Sequence, residues 1–312
     1  MTDGRQIEII DVTARDGLQN ESVMFSTEDK VDLIRQAINA GARRLEVASF
    51  AHPKYVPQMA DAEAVIAELP DQNGPDQQGI EYIGLVMNGR GLDRALNTKL
   101  DEVGLVCVAS DSFAQKNQNQ TRDGSVDMAC EMILRAKSEG LKANVTIGAS
   151  FGCPFEGDIA IETVVDMATR LAAAGPREIS VADTIGVGNP WHVKALISAL
   201  RGALPDMPLR GHFHNTRNTG LANVYAAIEA GVTSIDVSIG GIGGCPFAPA
   251  ATGNVPSEDV VYMLERNNVS TGMSLDALIE TSQWLSQKMD KPLPAMVSRA
   301  GGFPQKLNQA AE

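Results

Sequence analysis

Short apolar and β-branched runs alternate along the chain with longer amphipathic stretches of helical period. This alternation predicts strand–helix units around a parallel sheet. Eight predicted strands cover residues 7–12, 43–49, 82–86, 102–109, 143–148, 178–182, 209–213 and 234–237. Their predicted partner helices begin near Thr27, Gln58, Gly91, Ser125, Ile159, Pro190, Asn218 and Ser257. Eight units in one run favour a closed (β/α)8 TIM barrel over an open doubly wound sheet.

Local signals support several of these boundaries. Ser26 offers a hydroxyl cap before a first turn that carries acidic residues, and Asn189 precedes a proline at the first helical position. Gly41, Gly175 and Gly231 each follow a helical stretch just before a predicted strand, where a left-handed cap favours glycine. The strand–helix spacing is therefore marked by helix starts and stops as well as by hydrophobic period.

The barrel is predicted to span about residues 7–266, with a helical extension over about 267–312, in one catalytic domain over 1–312. The extension contains a ninth helix at 275–289 and a proline-rich tail from Lys291. It is predicted either to close one mouth of the barrel or to mediate contacts in a homo-oligomer. Residues 72–79, rich in glycine, proline and glutamine, are predicted to be an exposed loop.

Charge and composition narrow the function. The formal net charge is −13 over 312 residues, which argues against non-specific binding to nucleic acid or to an anionic membrane. Any anionic ligand must be held by local cations. The four cysteines show no CxxC spacing, and the short polar start leaves no room for a signal peptide, so we expect a cytoplasmic protein. No apolar run approaches the ~20 residues that span a bilayer.

Polar residues gather at the predicted carboxyl ends of the strands, which form the catalytic face of such a barrel. We expect this face to hold the substrate and to carry the chemistry. The expected substrate-binding residues are Arg15, Gln19, Ser49, Asn88, Ser110 and Thr184, and two nearby carboxylates are Glu46 and Asp183.

His212 and His214 are separated by one residue on a predicted strand, so both imidazoles point to the same side. Alone, such a pair is also consistent with a structural role, and Asp16 alone is consistent with an ion pair to Arg15. Together with Asp16 and Asn254 as oxygen donors, the pair predicts a metal site. This mixed ligand set suits Mg²⁺ or Mn²⁺ better than a closed zinc site, with zinc or iron left open.

A glycine run at 240–244 precedes Cys245. Glycines allow close backbone approach to a ligand or movement of a lid, so this run is consistent with a mobile loop that presents a thiol. It is equally consistent with an incidental cysteine in a glycine-rich loop. The sequence contains neither a phosphate-loop or dinucleotide fingerprint in a suitable position nor a G-x-S-x-G elbow.

Taken together, six phrases resemble the 3-hydroxy-3-methylglutaryl-CoA lyase family, and the likeness covers about residues 7–290. They are Arg15-Asp16-Gly17-Leu18-Gln19-Asn20-Glu21, Ser49-Phe50 through Val56-Pro57-Gln58-Met59, Gly152-Cys153-Pro154-Phe155-Glu156-Gly157, Asp183-Thr184-Ile185-Gly186-Val187-Gly188, His212-Phe213-His214, and Gly243-Gly244-Cys245-Pro246 with Asn254. The resemblance implies a metal-dependent barrel that acts on carbon–carbon bonds next to an acyl-CoA.

The resemblance also implies individual roles. Asp16, His212, His214 and Asn254 would ligate Mg²⁺ or Mn²⁺. Arg15 would stabilise an enolate oxygen, Cys245 would transfer a proton, and Glu46 and Asp183 would support the metal or the acid–base chemistry.

The implied reaction splits 3-hydroxy-3-methylglutaryl-CoA, or a close analogue such as citramalyl-CoA, into acetyl-CoA and a keto acid such as acetoacetate. The CoA thioester is then a substrate rather than a cofactor, and the implied pathway is leucine degradation. The alternatives are an acetyl-CoA condensing synthase or aldolase and a barrel that binds an acyl-CoA or a metal without catalysis.

One position departs from the family pattern. The family commonly has Asp directly after the second histidine, whereas this chain has Asn215, with Arg217 two residues on. Loss of that carboxylate is expected to change either the support of the metal site or the binding of the substrate's acid end. The departure leaves the reaction class intact and the substrate open.

Overall fold

Eight parallel strands form a closed barrel in chain order, and the last strand pairs with the first. The computed structural model describes residues 6–71, 79–244 and 253–304. The strands are β1 (Glu8–Asp11), β2 (Arg44–Ser49), β3 (Glu81–Val86), β4 (Glu102–Val108), β5 (Lys142–Gly148), β6 (Ile179–Asp183), β7 (Leu209–Phe213) and β8 (Ser234–Val237). This confirms the predicted (β/α)8 barrel, with strand ends that differ from the predicted ones by at most one residue.

Helices surround the barrel. They are α1 (Thr27–Asn39), α2 (Ala62–Glu68), α3 (Gly89–Ala95), α4 (Asp111–Gln118), α5 (Arg122–Ser138), α6 (Ile161–Ala173), α7 (Pro190–Ala203), α8 (Gly220–Glu229), α9 (Ser257–Glu265), α10 (Leu275–Met289) and α11 (Val297–Ala300). A π-helical turn at Thr13–Gly17 follows β1, and short 3₁₀ turns lie at Pro57–Met59 and Ile239–Gly241. The sequence pattern missed α4 and α11.

The predicted capping signals are present. Ser26 accepts a hydrogen bond from the Asp29 amide at 3.1 Å, and Asn189 accepts two from the first turn of α7. Gly41 and Gly231 adopt φ values of 108° and 105° after α1 and α8, a backbone conformation that residues with a Cβ rarely adopt. These caps explain why the helix ends could be located from the sequence.

The helical extension reaches the carboxyl end of the barrel. The amide of Ala295 donates to the carbonyl of Gly240 at 3.1 Å, and Leu293 is buried beside it. Gly240 lies in the 3₁₀ turn just after β8, so the extension contacts the end of the barrel where the polar residues gather. Within the described ranges, no helix is long and apolar enough to cross a membrane. The single-domain assignment and the homo-oligomer stay predictions.

The amino-terminal half of the barrel interior is charged rather than apolar. Arg44 on β2 lies 2.5 Å from a carboxylate oxygen of both Glu102 on β4 and Glu178 directly before β6, and all three side chains are buried. Arg210 on β7 donates to Glu178 and to Asn144. A buried ion network of this kind fixes the relative positions of four strands below the polar face.

Candidate active site

The π-helical turn and β7 bring three candidate ligands together. The turn at Thr13–Gly17 places Asp16 over the mouth of the barrel, and β7 presents the imidazoles of His212 and His214 to the same side. The two Nε2 atoms lie 3.1 Å apart, and Asp16 Oδ2 lies 4.0 Å and 3.8 Å from them. Two atoms that both bind one ion at about 2.1 Å cannot lie more than about 4.2 Å apart, and all three separations meet this limit. The three residues therefore fit one divalent cation.

Asn254 completes this group. It bridges to His214 in a short antiparallel contact, and its Nδ2 donates to Asp16 Oδ2 at 2.7 Å and to the Ile242 carbonyl at 3.2 Å. Its Oδ1 is buried and has no hydrogen-bond partner among the described residues. A buried acceptor without a partner is costly, and an oxygen-ligated cation would satisfy it.

The charges around the three ligands favour a cation. Burial alone would raise the pKa of Asp16, but Arg15 and the two histidines hold that pKa far below its ordinary value. Burial and the neighbouring His212 lower the pKa of His214 to about 4, so this imidazole is neutral near pH 7 and its nitrogen can serve as a ligand. An ionised carboxylate thus lies beside a neutral imidazole.

Asp236 orients His212. Its Oδ2 lies 2.9 Å from His212 Nδ1, which leaves Nε2 directed at Asp16 and His214. Burial opposes protonation of His212, but the bond to Asp236 and the negative charges of Asp236 and Asp16 raise its pKa overall. Arg210 Nε in turn lies 3.3 Å from Asp236 Oδ1 as an ion pair. Sequence reasoning missed Asp236, although it pairs in register with His212 near the end of β8.

The buried charges that connect to the site are mostly negative. Eight charged side chains form a series of ion pairs in which His212 links Asp16 to Asp236. Each of the eight is at most 14% exposed. They comprise three guanidinium groups (Arg15, Arg44 and Arg210) and five carboxylates (Asp16, Glu46, Glu102, Glu178 and Asp236). When all are ionised they leave an excess of negative charge, which a bound cation would reduce.

Arg15 lies beside this group and faces the same space. Its Nη1 donates to Asp16 at 2.5 Å, and its Nη2 donates to Glu46 Oε2 at 2.8 Å. Its Nε is buried without a hydrogen-bond partner among the described residues. The two carboxylates hold the guanidinium in one orientation and keep its pKa raised against the effect of burial. The result is a fixed cation whose Nε donor is unused among the described residues.

Two adjoining spaces meet at the mouth of the barrel. The inner cavity has a volume of about 170 Å³ and is lined by Arg15, Asp16, Glu46, Thr184, His212 and His214 among others. The outer groove, of about 780 Å³, includes Ser49, Asn88, Lys116 and Tyr55 in its walls. Gln19, Asn20 and Asn117 border both spaces, and Gln19 Oε1 is buried with no hydrogen-bond partner in the described part of the chain. The arrangement suits a ligand with a small reacting end and a long tail.

The remaining predicted residues fall into two groups. Ser49, Asn88 and Thr184 border these spaces, although their side chains also accept hydrogen bonds from nearby backbone amides. Ser110 and Asp183 border neither space. Ser110 caps α4, and the Asp183 carboxylate accepts the amides of Val187 and Gly188 at 2.9 Å. The structure therefore places Asp183 as a support for the loop after β6.

Cys245 lies outside the described residues, so its predicted role stays a prediction. The residue before it, Gly244, borders the inner cavity, and the Gly244 carbonyl accepts a hydrogen bond from Asn20 at 2.6 Å. The described chain therefore enters the 245–252 segment at the edge of the cavity.

Asn215 and Arg217 lie away from the walls of both spaces. Asn215 Oδ1 accepts the amide of Gly220 at the start of α8, and Arg217 donates to the carbonyls of Ile185 and Gly186 at 2.9 Å. The departure from the family pattern thus falls on residues that hold loop backbone.

Comparisons with known proteins agree with this geometry. The family model described as HMGL-like matches residues 6–285. An (R)-citramalyl-CoA lyase of Chloroflexus aurantiacus is 40% identical over 311 residues, with 97% of this chain and 98% of the relative covered. A hydroxymethylglutaryl-CoA lyase of Bacillus subtilis is 38% identical, with 93% and 96% covered.

A solved structure extends the likeness to the whole fold. An HMG-CoA lyase of Acinetobacter baumannii, in complex with coenzyme A and 3-methylmalate, superposes with a TM-score of 0.91 at 35% identity and covers 98% of both chains. The matched family model, the curated relatives and the solved structure all span nearly the whole chain. This chain belongs to the HMGL-like family and is a carbon–carbon lyase.

Proposed function

We propose that the protein is a divalent-metal-dependent lyase that cleaves a 3-hydroxyacyl-CoA bearing a second carboxylate into acetyl-CoA and a keto acid. The observation that carries this proposal is the group formed by Asp16, His212 and His214 on the wall of the inner cavity, directly beside the fixed cation of Arg15. A group of metal ligands next to a guanidinium suits a substrate whose hydroxyl and carboxylate end binds a metal and whose thioester end becomes an enolate.

The proposed metal ligands are Asp16, His212, His214 and Asn254, and Mg²⁺ or Mn²⁺ suits this mixed set of two nitrogen and two oxygen donors beside an open cavity. A bound divalent ion would supply Lewis-acid chemistry, which lowers the pKa of an alcohol and neutralises carboxylate charge. Asp236 would keep His212 in the tautomer that offers Nε2 as a ligand.

Arg15 is proposed to bind the thioester oxygen. Its guanidinium is held by Asp16 and Glu46, so little reorganisation is needed when negative charge develops on that oxygen. One such preorganised donor contributes about 3 kcal/mol in other enzymes. Nε is a buried donor that the described contacts leave available for this oxygen.

Glu46 is proposed to take the proton of the 3-hydroxyl group. It is the carboxylate of the inner cavity that lies next to Arg15 and outside the proposed ligand set, and only its Oε2 is engaged by Arg15. As the proton leaves, the bond between C2 and C3 breaks and its electron pair passes to the thioester enolate, which leaves a keto acid. Cys245 is proposed to protonate C2 of the enolate and so complete acetyl-CoA.

The two spaces divide the substrate between them in this proposal. The inner cavity holds the acyl end, and the outer groove holds the pantetheine and nucleotide of CoA. The complex of the Acinetobacter relative with coenzyme A and 3-methylmalate supports a CoA site in this fold. Lys116 offers a local cation in the groove of this acidic protein.

The substrate is proposed to be 3-hydroxy-3-methylglutaryl-CoA or (R)-citramalyl-CoA, which differ by one methylene between the hydroxyl-bearing carbon and the carboxylate. Relatives with either name match nearly the whole chain. The test is incubation of the Mg²⁺-loaded protein with both thioesters and identification of the keto acid by mass. Acetoacetate indicates the first substrate and pyruvate the second.

Two other outcomes of this assay would reject the proposal. Consumption of acetyl-CoA with a keto acid, without measurable cleavage of either thioester, would indicate a condensing enzyme. No turnover in either direction would indicate a barrel that only binds. The place in leucine degradation, the cytoplasmic location and the homo-oligomer stay predictions.

A further inference from the structure

The motif at residues 152–157 is used by none of the steps above. Its backbone forms a tight hairpin in which the amides of Cys153 and Gly157 each donate to the other's carbonyl, at 2.8 Å and 3.0 Å. Gly157 adopts a φ of 82°, which closes the turn and favours glycine. We call residues 153–157 the clamp hairpin.

The clamp hairpin contacts α4 at several points along its length. At the start of the helix, the Ser110 hydroxyl donates to Cys153 Sγ at 2.9 Å, and the Ser112 amide donates to Glu156 Oε1 at 2.6 Å. Further along, Phe155 lies edge-on to Phe113, with ring centroids 5.9 Å apart.

Phe155 also holds a cation. The ammonium of Lys116, on the next turn of α4, lies 5.0 Å from the centroid of the Phe155 ring. This is within the range of a cation–π contact. Phe155 therefore contacts two side chains of α4, Phe113 and Lys116.

α4 needs such support. The helix has eight residues, of which only Phe113 and Ala114 are buried, and an isolated helix of this length is unstable in water. Its position nevertheless determines both spaces, because Phe113 and Asn117 border the inner cavity and Lys116 borders the outer groove. The contacts that hold α4 consequently set the shape and charge of the mouth.

We propose that the clamp hairpin is a positioning element for the CoA thioester, which fixes α4 against the cavity and fixes Lys116 at the groove for an anionic part of CoA. This inference rests on the proposed function for the identity of the ligand. Glu156 acts on the backbone of α4, and Phe155 acts on its side chains, so the two residues can be tested separately.

The test uses two variants with conservative rescues. Glu156→Ala removes the acceptor for Ser112, whereas Glu156→Gln keeps one; Phe155→Ala removes both ring contacts, whereas Phe155→Tyr keeps them. The matched control is Glu162→Ala in the first turn of α6, away from both spaces. Hydrogen exchange of residues 111–118 and the affinity for free CoA are measured by mass spectrometry and calorimetry, together with the KM and kcat of thioester cleavage.

The Ala variants are expected to exchange about tenfold faster over 111–118 and to bind CoA about fivefold more weakly, with KM raised and kcat within about twofold. The Gln and Tyr variants and the control are expected to match the wild type. Slow exchange in β7 shows that a variant is folded.

Unchanged exchange over 111–118 and unchanged CoA affinity in both Ala variants would overturn the inference. So would equal effects of Glu156→Ala and Glu156→Gln, or a wild-type protein that does not bind CoA. The exchange and CoA-binding measurements need no turnover. A failure of the proposed cleavage reaction is therefore distinguishable from a failure of the clamp.

Discussion

His212 Nδ1 lies 2.9 Å from Asp236 Oδ2, and the two residues face each other in register on β7 and β8. This bond fixes the imidazole so that Nε2 points at Asp16 and His214. A carboxylate that orients a ligand histidine in this way commonly strengthens metal binding by about 10–100-fold. The site therefore depends on a residue that belongs to none of the predicted ligands.

Asp236→Asn is expected to weaken Mn²⁺ or Mg²⁺ binding by about 10–100-fold, because an amide can donate to Nδ1 and stabilise the wrong tautomer. Calorimetric titration of the metal measures the effect. The matched control is Asp259→Asn, in which a buried acid accepts the amides of Met296 and Val297 and borders neither space. Equal metal affinities for the two variants would contradict this role of Asp236.

Arg44→Met is expected to lower the free energy of unfolding by about 3–5 kcal/mol, since it leaves Glu102 and Glu178 buried without their shared cation. Urea denaturation measures this loss. The control is Arg135→Met, which breaks an exposed pair with Asp93 and is expected to cost less than about 1 kcal/mol. Similar losses of unfolding free energy in both variants would show that the buried ion network stabilises the fold no more than an exposed ion pair does.

Asp11 gives a prediction for pH. Burial, opposed in part by hydrogen bonds from Thr13, raises the pKa of this carboxyl to about 7. The unfolded chain releases the proton near pH 4, so the folded state loses stability as pH rises from about 4 to about 7. Asp11→Asn removes this loss.

The advantage of Asp11→Asn in unfolding free energy is therefore expected to grow between pH 4 and 7 and to level off above pH 8. Urea denaturation of both proteins across this range measures the difference. A difference that is constant with pH would show that Asp11 does not titrate in this range.

Asn215→Asp is expected to leave the ratio of kcat/KM for the two candidate thioesters within about twofold of the wild-type ratio. The reason is geometric: Asn215 Oδ1 accepts the Gly220 amide, and an Asp oxygen would accept it equally well. Steady-state assays with both thioesters measure the ratio. A larger change would show that this position acts on the substrate despite lying away from the cavity walls.

Much of the fold could be predicted because strand period and helix caps are local. The alternation of β and α units is confirmed by the closed barrel, and Ser26, Asn189 and Gly41 mark helix boundaries as expected. α4 could not be predicted, because its polar sequence has little helical periodicity and it depends on contacts with a hairpin 40 residues further on.

Parts of the site could be predicted where the sequence pattern fixes the side to which a side chain points. His212 and His214 share a side because strand residues alternate, and the structure brings them to Asp16. Asp183 shows where such prediction fails. A carboxylate at a strand end can turn toward the cavity or toward the following loop, and the Asp183 carboxylate accepts two amides of the loop. Which way such a side chain turns depends on backbone groups that the sequence does not place.

The most direct test of the metal-dependent lyase is acetyl-CoA release by the wild type and by Asp16→Asn, each stripped with a chelator and assayed with and without added Mg²⁺ or Mn²⁺. The wild type is expected to lose activity on stripping and to regain it with metal. Asp16→Asn is expected to stay at least about 100-fold less active than the metal-loaded wild type, with or without added metal, because the carboxylate beside the two histidines is lost. Full activity of stripped wild type, or of Asp16→Asn, would contradict the account.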